Sequence, residues 1–179
     1  MIFNSYQFWG FFALVVLLYR FLGHRRQNHL LLAASYFFYA CWDWRFLGLI
    51  IGITAVHFVA ALKIEQGGAA ERRRWLAGSV AISLVLLGVF KYLNFFIEST
   101  GLFLSRMGFE AHFESLSIIL PVGISFYTFQ TLSYTLDVYR GRARTESSLL
   151  NFALYATFFP QLVAGPIVRS TQFLPQCQE

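Results

Sequence analysis

Charge is scarce in this 179-residue chain. Aspartate, glutamate, lysine and arginine make up 13% of it, against about 25% in a typical soluble domain, while 57% of the residues are hydrophobic and 19% aromatic. So small a charged fraction excludes a water-facing surface over most of the chain. Cysteine is also nearly absent: Cys41 and Cys177 supply neither an even disulfide framework nor a CxxC spacing, so no disulfide and no metal site is expected. No glycine-rich nucleotide fingerprint, phosphate loop or internal repeat occurs. The net charge of +5 raises nucleic acid as a partner, but the basic residues sit in short clusters between apolar runs instead of on one face or tail. No nucleic-acid partner is expected.

What is present is a series of apolar runs: Phe3 to Leu22, Leu30 to Trp42, Phe46 to Leu62, Trp75 to Ile97, Leu116 to Tyr139 and Leu149 to Val168. Several approach the roughly 20 residues that cross a bilayer core of about 30 Å. They predict an all-α, polytopic transmembrane helix bundle of about six hydrophobic segments, with membrane lipid as its surroundings. Between Leu30 and Leu62 only Asp43 and Arg45 interrupt the apolar character, which predicts a short helical hairpin turning at WDWR with its tryptophans at the interface.

The basic clusters fit that layout. Arg20, Arg25 and Arg26 follow the first run; Lys63 and Arg72 to Arg74 follow the third; Arg140, Arg142 and Arg144 follow the fifth. Alternate loops are therefore basic, which predicts those loops inside and the N-terminus extracytoplasmic. The first run lacks a basic lead and a small-x-small cleavage site, so it is expected to be a retained span. Residues 98–115 form the most water-like part and are expected as an extracytoplasmic loop, with GLFLSRMGF as an amphipathic interfacial helix or a plain loop. The match Gly48-Leu49-Ile50-Ile51-Gly52 to GxxxG is weak packing evidence.

Chemistry must come from few side chains. His24, His29 and His112 read as solvated loop residues, and Lys91 as a residue that snorkels. His57 sits in the middle of the third run, where an ionisable group is a functional candidate, although a neutral imidazole bonded to a neighbouring helix is the commoner outcome. Asp137, beside Arg140, reads as half of an interfacial ion pair.

Two segments stand apart. LPVGISFYTFQTLSYTLDVYRG, from Leu120 to Gly141, places hydroxyls and an amide around much of a helix, including Tyr127, Gln130 and Tyr134. Such a helix needs protein neighbours. FFPQLVAGPIVR, from Phe158 to Arg169, carries Pro160 and Pro166 inside an apolar run, with Gln161 and Gly165 between them. The prolines predict a broken sixth helix, which at membrane depth requires a protein or aqueous neighbour.

These two segments, together with MIFNSYQFW, LLLAASYFFYACWDWRF and FKYLNFF, strongly resemble the membrane-bound O-acyltransferase family, in its bacterial alginate O-acetyltransferase branch and the related D-alanyl transfer proteins. The resemblance covers essentially all 179 residues, as the N-terminal part of a single membrane-bound O-acyltransferase domain. It implies transfer of an acyl group, expected to be acetyl, to the hydroxyl of an exported polysaccharide such as alginate. It also implies a bacterial inner-membrane location, an acetyl donor from the cytoplasm with no tightly bound cofactor, and periplasmic or extracellular acetyl-transfer partner proteins. Tyr127, Gln130, Tyr134, Asp137, Pro160, Gln161, Gly165, Pro166 and Arg169 are then expected in a tunnel wall and its supporting shell, with simple helix packing weighted equally. The family's essential histidine belongs to a later membrane segment, beyond Glu179, so no catalytic residue is assigned among these positions. The chain, which stops at Glu179 after FLPQCQ, is expected to be a portion of a longer enzyme or a truncated gene product, inactive alone. A transporter-like module and a non-catalytic assembly subunit are the alternative readings.

Overall fold

The computed structural model describes residues 5–107, 121–165 and 168–178, and every regular element among them is helical. α1 (Tyr6–Phe21) starts where the Ser5 hydroxyl accepts the Phe8 N–H at 3.2 Å, a side-chain cap on an otherwise orphaned donor. α2 (His24–Asp43) ends at Asp43, whose extended backbone (φ −159°, ψ 109°) reverses the chain into a single 3-10 turn, Trp44–Phe46. The Asp43 carboxylate accepts the Arg45 N–H at 3.0 Å and pairs with the Arg45 guanidinium at 2.6 Å, which fixes the predicted WDWR turn. Trp42 and Trp44 are exposed.

α3 (Leu47–Gln66) is the central helix and packs most extensively on α6 (Ile124–Tyr139) and α4 (Ala69–Leu87). Its buried residues, Ile50, Ile53, Thr54, His57, Ala60, Ala61 and Ile64, recur at three and four positions and so form one stripe. Ala60 and Ala61 are small enough to bring the neighbouring helix close. Gly48 and Gly52 do not serve that purpose, because an added Cβ would meet nothing within 4 Å at either. α7 (Leu149–Thr157) wedges between α2 and α3, and α8 (Phe159–Ala164) and α9 (Ser170–Gln178) follow it.

Two stretches are long and apolar enough to cross a membrane: His24–Gln66, which the Asp43 turn divides, and Ala69–Tyr92. The structure does not single out six such spans among the described residues. The fourth run departs from the expectation of a plain span. α4 passes into a π-helical segment, Gly88–Tyr92, before α5 (Leu93–Arg106), so the helix accommodates an extra residue per turn near Lys91. Lys91 Nζ lies 5.4 Å from the Tyr92 ring centre. Residues 98–106, expected as the start of a loop or an interfacial helix, are helical; the rest of that segment, from 108 onward and with His112, lies outside the described residues.

The bundle has two distinct ends. At one, Arg72 Nη2 donates to the Tyr139 carbonyl at 2.7 Å, Glu65 accepts from Thr145, and His24 Nε2 lies 2.8 Å from the Cys177 carbonyl. The first two contacts join the second and third basic loops, and the third joins the first basic loop to the end of α9. At the other, Tyr39, Ile50, Ile53, Leu87, Ile124, Tyr127 and Leu162 form a core cluster, with Phe46 and Phe90 packed against it. Large apolar side chains such as Trp9, Leu17, Leu84, Val85, Phe95 and Phe96 are exposed on α1, α4 and α5.

Candidate functional site

The sixth apolar run breaks between α7 and α8. Phe158 leaves helical geometry (φ −54°, ψ 108°), and Pro160 follows as the second residue of α8. Proline cannot donate a backbone hydrogen bond and restricts the residue before it, so α7 cannot run on through this point. α7 has nine residues, a length of roughly 13 Å, less than half of the about 30 Å of a bilayer core, so it is too short to cross one by itself. Polar groups freed there need partners.

Two other helices supply them. Ser35 Oγ of α2 accepts the Phe159 N–H at 3.2 Å, and Gln130 Nε2 of α6 donates to the Tyr155 carbonyl at 2.9 Å. Ser35 and Gln130 are fully buried. The expected protein neighbour of a broken helix is therefore a pair of side-chain caps. Tyr155 returns its hydroxyl to the Gln130 carbonyl at 3.4 Å, which ties α6 and α7 in both directions.

Glycine is required at two points around the break. Gly165 ends α8, and a Cβ there would stand 2.6 Å from the Gln161 Cα and 3.0 Å from its Cβ. Gly123 opens α6 at φ +73°, a left-handed conformation that disfavours residues with a Cβ, and an added Cβ would stand 2.9 Å from the Leu162 carbonyl. The start of α6 thus packs backbone to backbone on α8.

Beside these satisfied groups lie others that are not. Thr128 Oγ1, Gln130 Oε1 and Gln161 Oε1 are buried with no hydrogen-bond partner among the described residues, and the buried Tyr39 and Tyr127 hydroxyls have only each other nearby. The Tyr39 and Tyr127 rings meet edge to face at 6.4 Å. Polar atoms buried in this way are uncommon, and a cluster of them marks a place completed by water, a ligand or further protein.

The structure thus brings Tyr127, Gln130, Pro160, Gln161 and Gly165 to the α6–α7–α8 junction. Tyr134 lies further along α6, where its hydroxyl accepts the Glu146 N–H at 2.8 Å and its ring packs 4.8 Å from Phe152. Asp137 is half-buried and, contrary to expectation, forms no ion pair with Arg140; its carbonyl accepts the Arg142 N–H at 2.8 Å and closes α6. Arg169 is exposed, and its carbonyl accepts the first N–H groups of α9. Pro166 lies outside the described residues, and so does Glu179, the position beyond which the family histidine is expected.

His57 belongs to a separate arrangement. It is fully buried, with Nδ1 2.8 Å from Thr135 Oγ1 and Nε2 2.9 Å from Ser83 Oγ, so it pins α3 to α6 and to α4. Each hydroxyl also approaches a carbonyl one turn back, Ser83 to Ser79 at 2.8 Å and Thr135 to Thr131 at 3.1 Å. A hydroxyl has one proton, and a neutral imidazole donates from one nitrogen and accepts at the other. Ser83 and Thr135 can therefore serve the ring in either tautomer, one hydroxyl accepting from the N–H and the other donating to the bare nitrogen. Among the described residues no carboxylate joins this network.

Sequence reasoning missed the polar group at the basic end. Asn28 donates to Asn151 Oδ1 at 3.3 Å and to the Cys177 carbonyl at 2.7 Å, and Glu146 accepts from the Ser148 N–H at 2.8 Å and from Gln178 at 2.6 Å. These groups, with His24, His29 and Arg25, line a cavity of about 940 Å³. The pairing of Asn28 spans more than a hundred residues of chain and leaves no local signal. Cys177 is buried there, and burial, with the Glu146 charge adding to it, pushes its thiol up to about 11.

Comparison with known proteins decides the relationship. The chain is 42% identical over 172 residues to the probable alginate O-acetylase AlgI of Pseudomonas syringae pv. tomato, an alignment covering 94% of this chain and 33% of that protein. Over nearly all of its own length the chain is similar to the alginate O-acetylases. The Pseudomonas aeruginosa protein of the same description is 41% identical to it over 179 residues, covering 98% of this chain and 34% of the relative. The peptidoglycan O-acetyltransferase of Helicobacter pylori is 36% identical over 174 residues, covering 83% and 32%. The chain therefore spans about a third of the length of these relatives. No protein-family model matches it, and no solved structure is significantly similar.

Proposed function

We propose that this chain forms one wall of the acyl-transfer path in a membrane-bound O-acetyltransferase that modifies hydroxyls of an exported polysaccharide, alginate or a relative of it. Support comes from homology to proteins named as O-acetylases of alginate and of peptidoglycan, and from the exposed apolar faces of α1, α4 and α5, which suit lipid. The observation that carries the wall assignment is the cluster of unpartnered buried oxygens at the helix break. Acyl transfer to a hydroxyl needs a path that excludes bulk water, a means of holding the acceptor, and a base for its proton. The junction offers the first two: Tyr127, Thr128 and Gln161 present polar atoms, and Gln130 holds the backbone that carries them. In this reading the base lies elsewhere, since His57 is fully buried in a separate arrangement with Thr135 and Ser83.

In this reading the basic loops face the cytoplasm of an inner-membrane protein, the acetyl donor enters from that side, and accessory proteins outside complete the polymer modification. The test is Gln161→Ala in the full-length enzyme, with membrane abundance followed beside polymer acetylation. Acetylation should fall about ten-fold at unchanged abundance, as expected for losing one polar contact in a dry site. Normal acetylation at normal abundance removes Gln161 from the path and leaves the junction a packing device.

A further inference from the structure

We infer that the polar cavity at the basic end of the bundle binds a primary ammonium group, carried by a zwitterion of the phosphoethanolamine type, with Glu146 and the side-chain carbonyl of Asn28 as its acceptors. The inference stands apart from the acyl-transfer reading, because it concerns a different end of the molecule and its test involves no acetylation.

The cavity, of about 940 Å³, is lined from the first turns of α2, the start of α7 with the loop before it, and the end of α9. Glu146 is on its wall, is 4% exposed and forms no ion pair among the described residues. Its carboxylate takes one hydrogen bond per oxygen, from the Ser148 N–H and from the Gln178 amide. A carboxylate has about four acceptor positions, and a buried one is ordinarily paired with a cation. The charge and part of the accepting capacity are left unmatched.

Asn28 supplies a second, independent observation. It is 7% exposed and donates from its amide nitrogen twice, to Asn151 Oδ1 at 3.3 Å and to the Cys177 carbonyl at 2.7 Å. Both amide hydrogens are thereby used, and Oδ1 is the group left over. That oxygen has no partner among the described residues, and unlike the enclosed unpartnered atoms it is open to the cavity that Asn28 lines. The two acceptors meet at the same end of α9: Asn28 holds the Cys177 carbonyl, and the next residue, Gln178, holds Glu146.

An ammonium group matches them, with three N–H donors, one positive charge and no acceptor. A metal cage does not, because among the described residues no three histidine, cysteine or acidic side chains stand together as ligands. The mouth of the cavity selects further. Arg25 lines it one turn before Asn28 on the same face of α2, and so does His24, whose Nε2 lies 2.8 Å from the same Cys177 carbonyl. A plain cation is repelled there, whereas a phosphate joined to the ammonium by a short link suits Arg25 and the N-terminal turn of α2. Two sources can present the group: phosphatidylethanolamine at the membrane surface, or a soluble phosphoethanolamine ester.

The experiment uses the protein purified in dodecyl maltoside. Glycerophosphoethanolamine is titrated and followed by saturation-transfer NMR, and retention of phosphatidylethanolamine is compared with that of phosphatidylglycerol by native mass spectrometry. At least one ethanolamine probe should bind. Glycerophosphocholine, whose quaternary nitrogen has no N–H, and phosphatidylglycerol, which has no ammonium, should bind about ten-fold more weakly than their ethanolamine counterparts. Glu146→Gln keeps the size, removes the charge and should weaken ethanolamine binding about ten-fold. Arg25→Gln should weaken it several-fold, and Arg73→Gln, an exposed basic residue outside the cavity, should leave it unchanged. Binding of glycerophosphoethanolamine identifies a headgroup recognised without its chains, and retention of phosphatidylethanolamine alone identifies the lipid. If circular dichroism shows Glu146→Gln misfolded, Arg25→Gln and the choline comparison carry the test. The inference is overturned if neither ethanolamine probe binds, if the choline or glycerol compounds bind equally well, or if a folded Glu146→Gln binds as tightly as wild type.

Discussion

At the scale of single residues, buried polar atoms decide how this chain holds together. Gln130 is the clearest case, because its amide nitrogen caps the Tyr155 carbonyl where α7 stops. Gln130→Leu keeps the volume and removes the donor, leaving the Tyr155 carbonyl without its side-chain partner. Membrane helix hydrogen bonds average less than soluble ones, so the expected loss is about 1 kcal/mol, read as a lower thermal midpoint in detergent. An unchanged midpoint means that another group reaches Tyr155. Cys177 offers a pH-dependent reading. Its thiol is pushed up to about 11, so the folded state favours the protonated form. That contribution to stability is fully present below the ordinary thiol range and is lost as pH rises through about 11. Because the thiolate is the reactive species, N-ethylmaleimide should label exposed Cys41 well before Cys177 at about pH 8, and Cys177 labelling should accelerate only as pH nears about 11. Rapid labelling of Cys177 at the lower pH contradicts its burial.

At the scale of elements, the helix break is the feature that most constrains substitution. Gly165 faces Gln161 with no room for a Cβ, so Gly165→Ala must push α8 away from its own turn or distort the segment after it. Gly123→Ala combines a left-handed φ, worth about 1 kcal/mol on its own, with a clash against Leu162. Both variants should reduce the amount of folded protein recovered from membranes, with Gly123→Ala at least as damaging. Alanine at Gly48, where the surroundings are open, should be neutral in the same assay. The elements are partly legible in the sequence. Apolar runs locate α1 to α4, and Asp43 with Arg45 locates the hairpin turn, because length and polarity are local properties. Pro160 announces the break, yet the two side chains that cap it, Ser35 and Gln130, lie 124 and 25 residues away from the groups they satisfy. No spacing rule connects them. The π-helical segment at Gly88–Tyr92 has no sequence signal either. Polar residues around α6 rightly point to protein on most sides, although Phe129 remains half-exposed.

At the scale of the whole molecule, His57 is the junction between three helices. It joins α3 to α4 through Ser83 and to α6 through Thr135, and these are the helix pairs with the broadest packing in the bundle. In the sequence it stands out as the one histidine in the middle of an apolar run, open to either a chemical or a structural role. With both nitrogens occupied by hydroxyls and the ring fully buried, its geometry suits a pin that fixes the relative rotation of the three helices. A pin and a catalyst make different predictions in the full-length enzyme. Removing a pin lowers the amount of correctly assembled protein, while each surviving molecule works normally. Removing a catalyst leaves abundance unchanged and lowers turnover per molecule. For His57→Ala, the loss of two buried hydrogen bonds and of the ring's packing is expected to cost about 2 to 4 kcal/mol. Ser83→Ala removes one partner and should cost about 1 kcal/mol. Acetylation per molecule, measured against membrane abundance by immunoblot, should stay within about two-fold of wild type in both, a margin far below the roughly 100-fold or more that general acid–base residues supply. A His57 variant that is abundant and well folded but loses acetylation beyond that range would move the proton-transfer chemistry into this third of the protein.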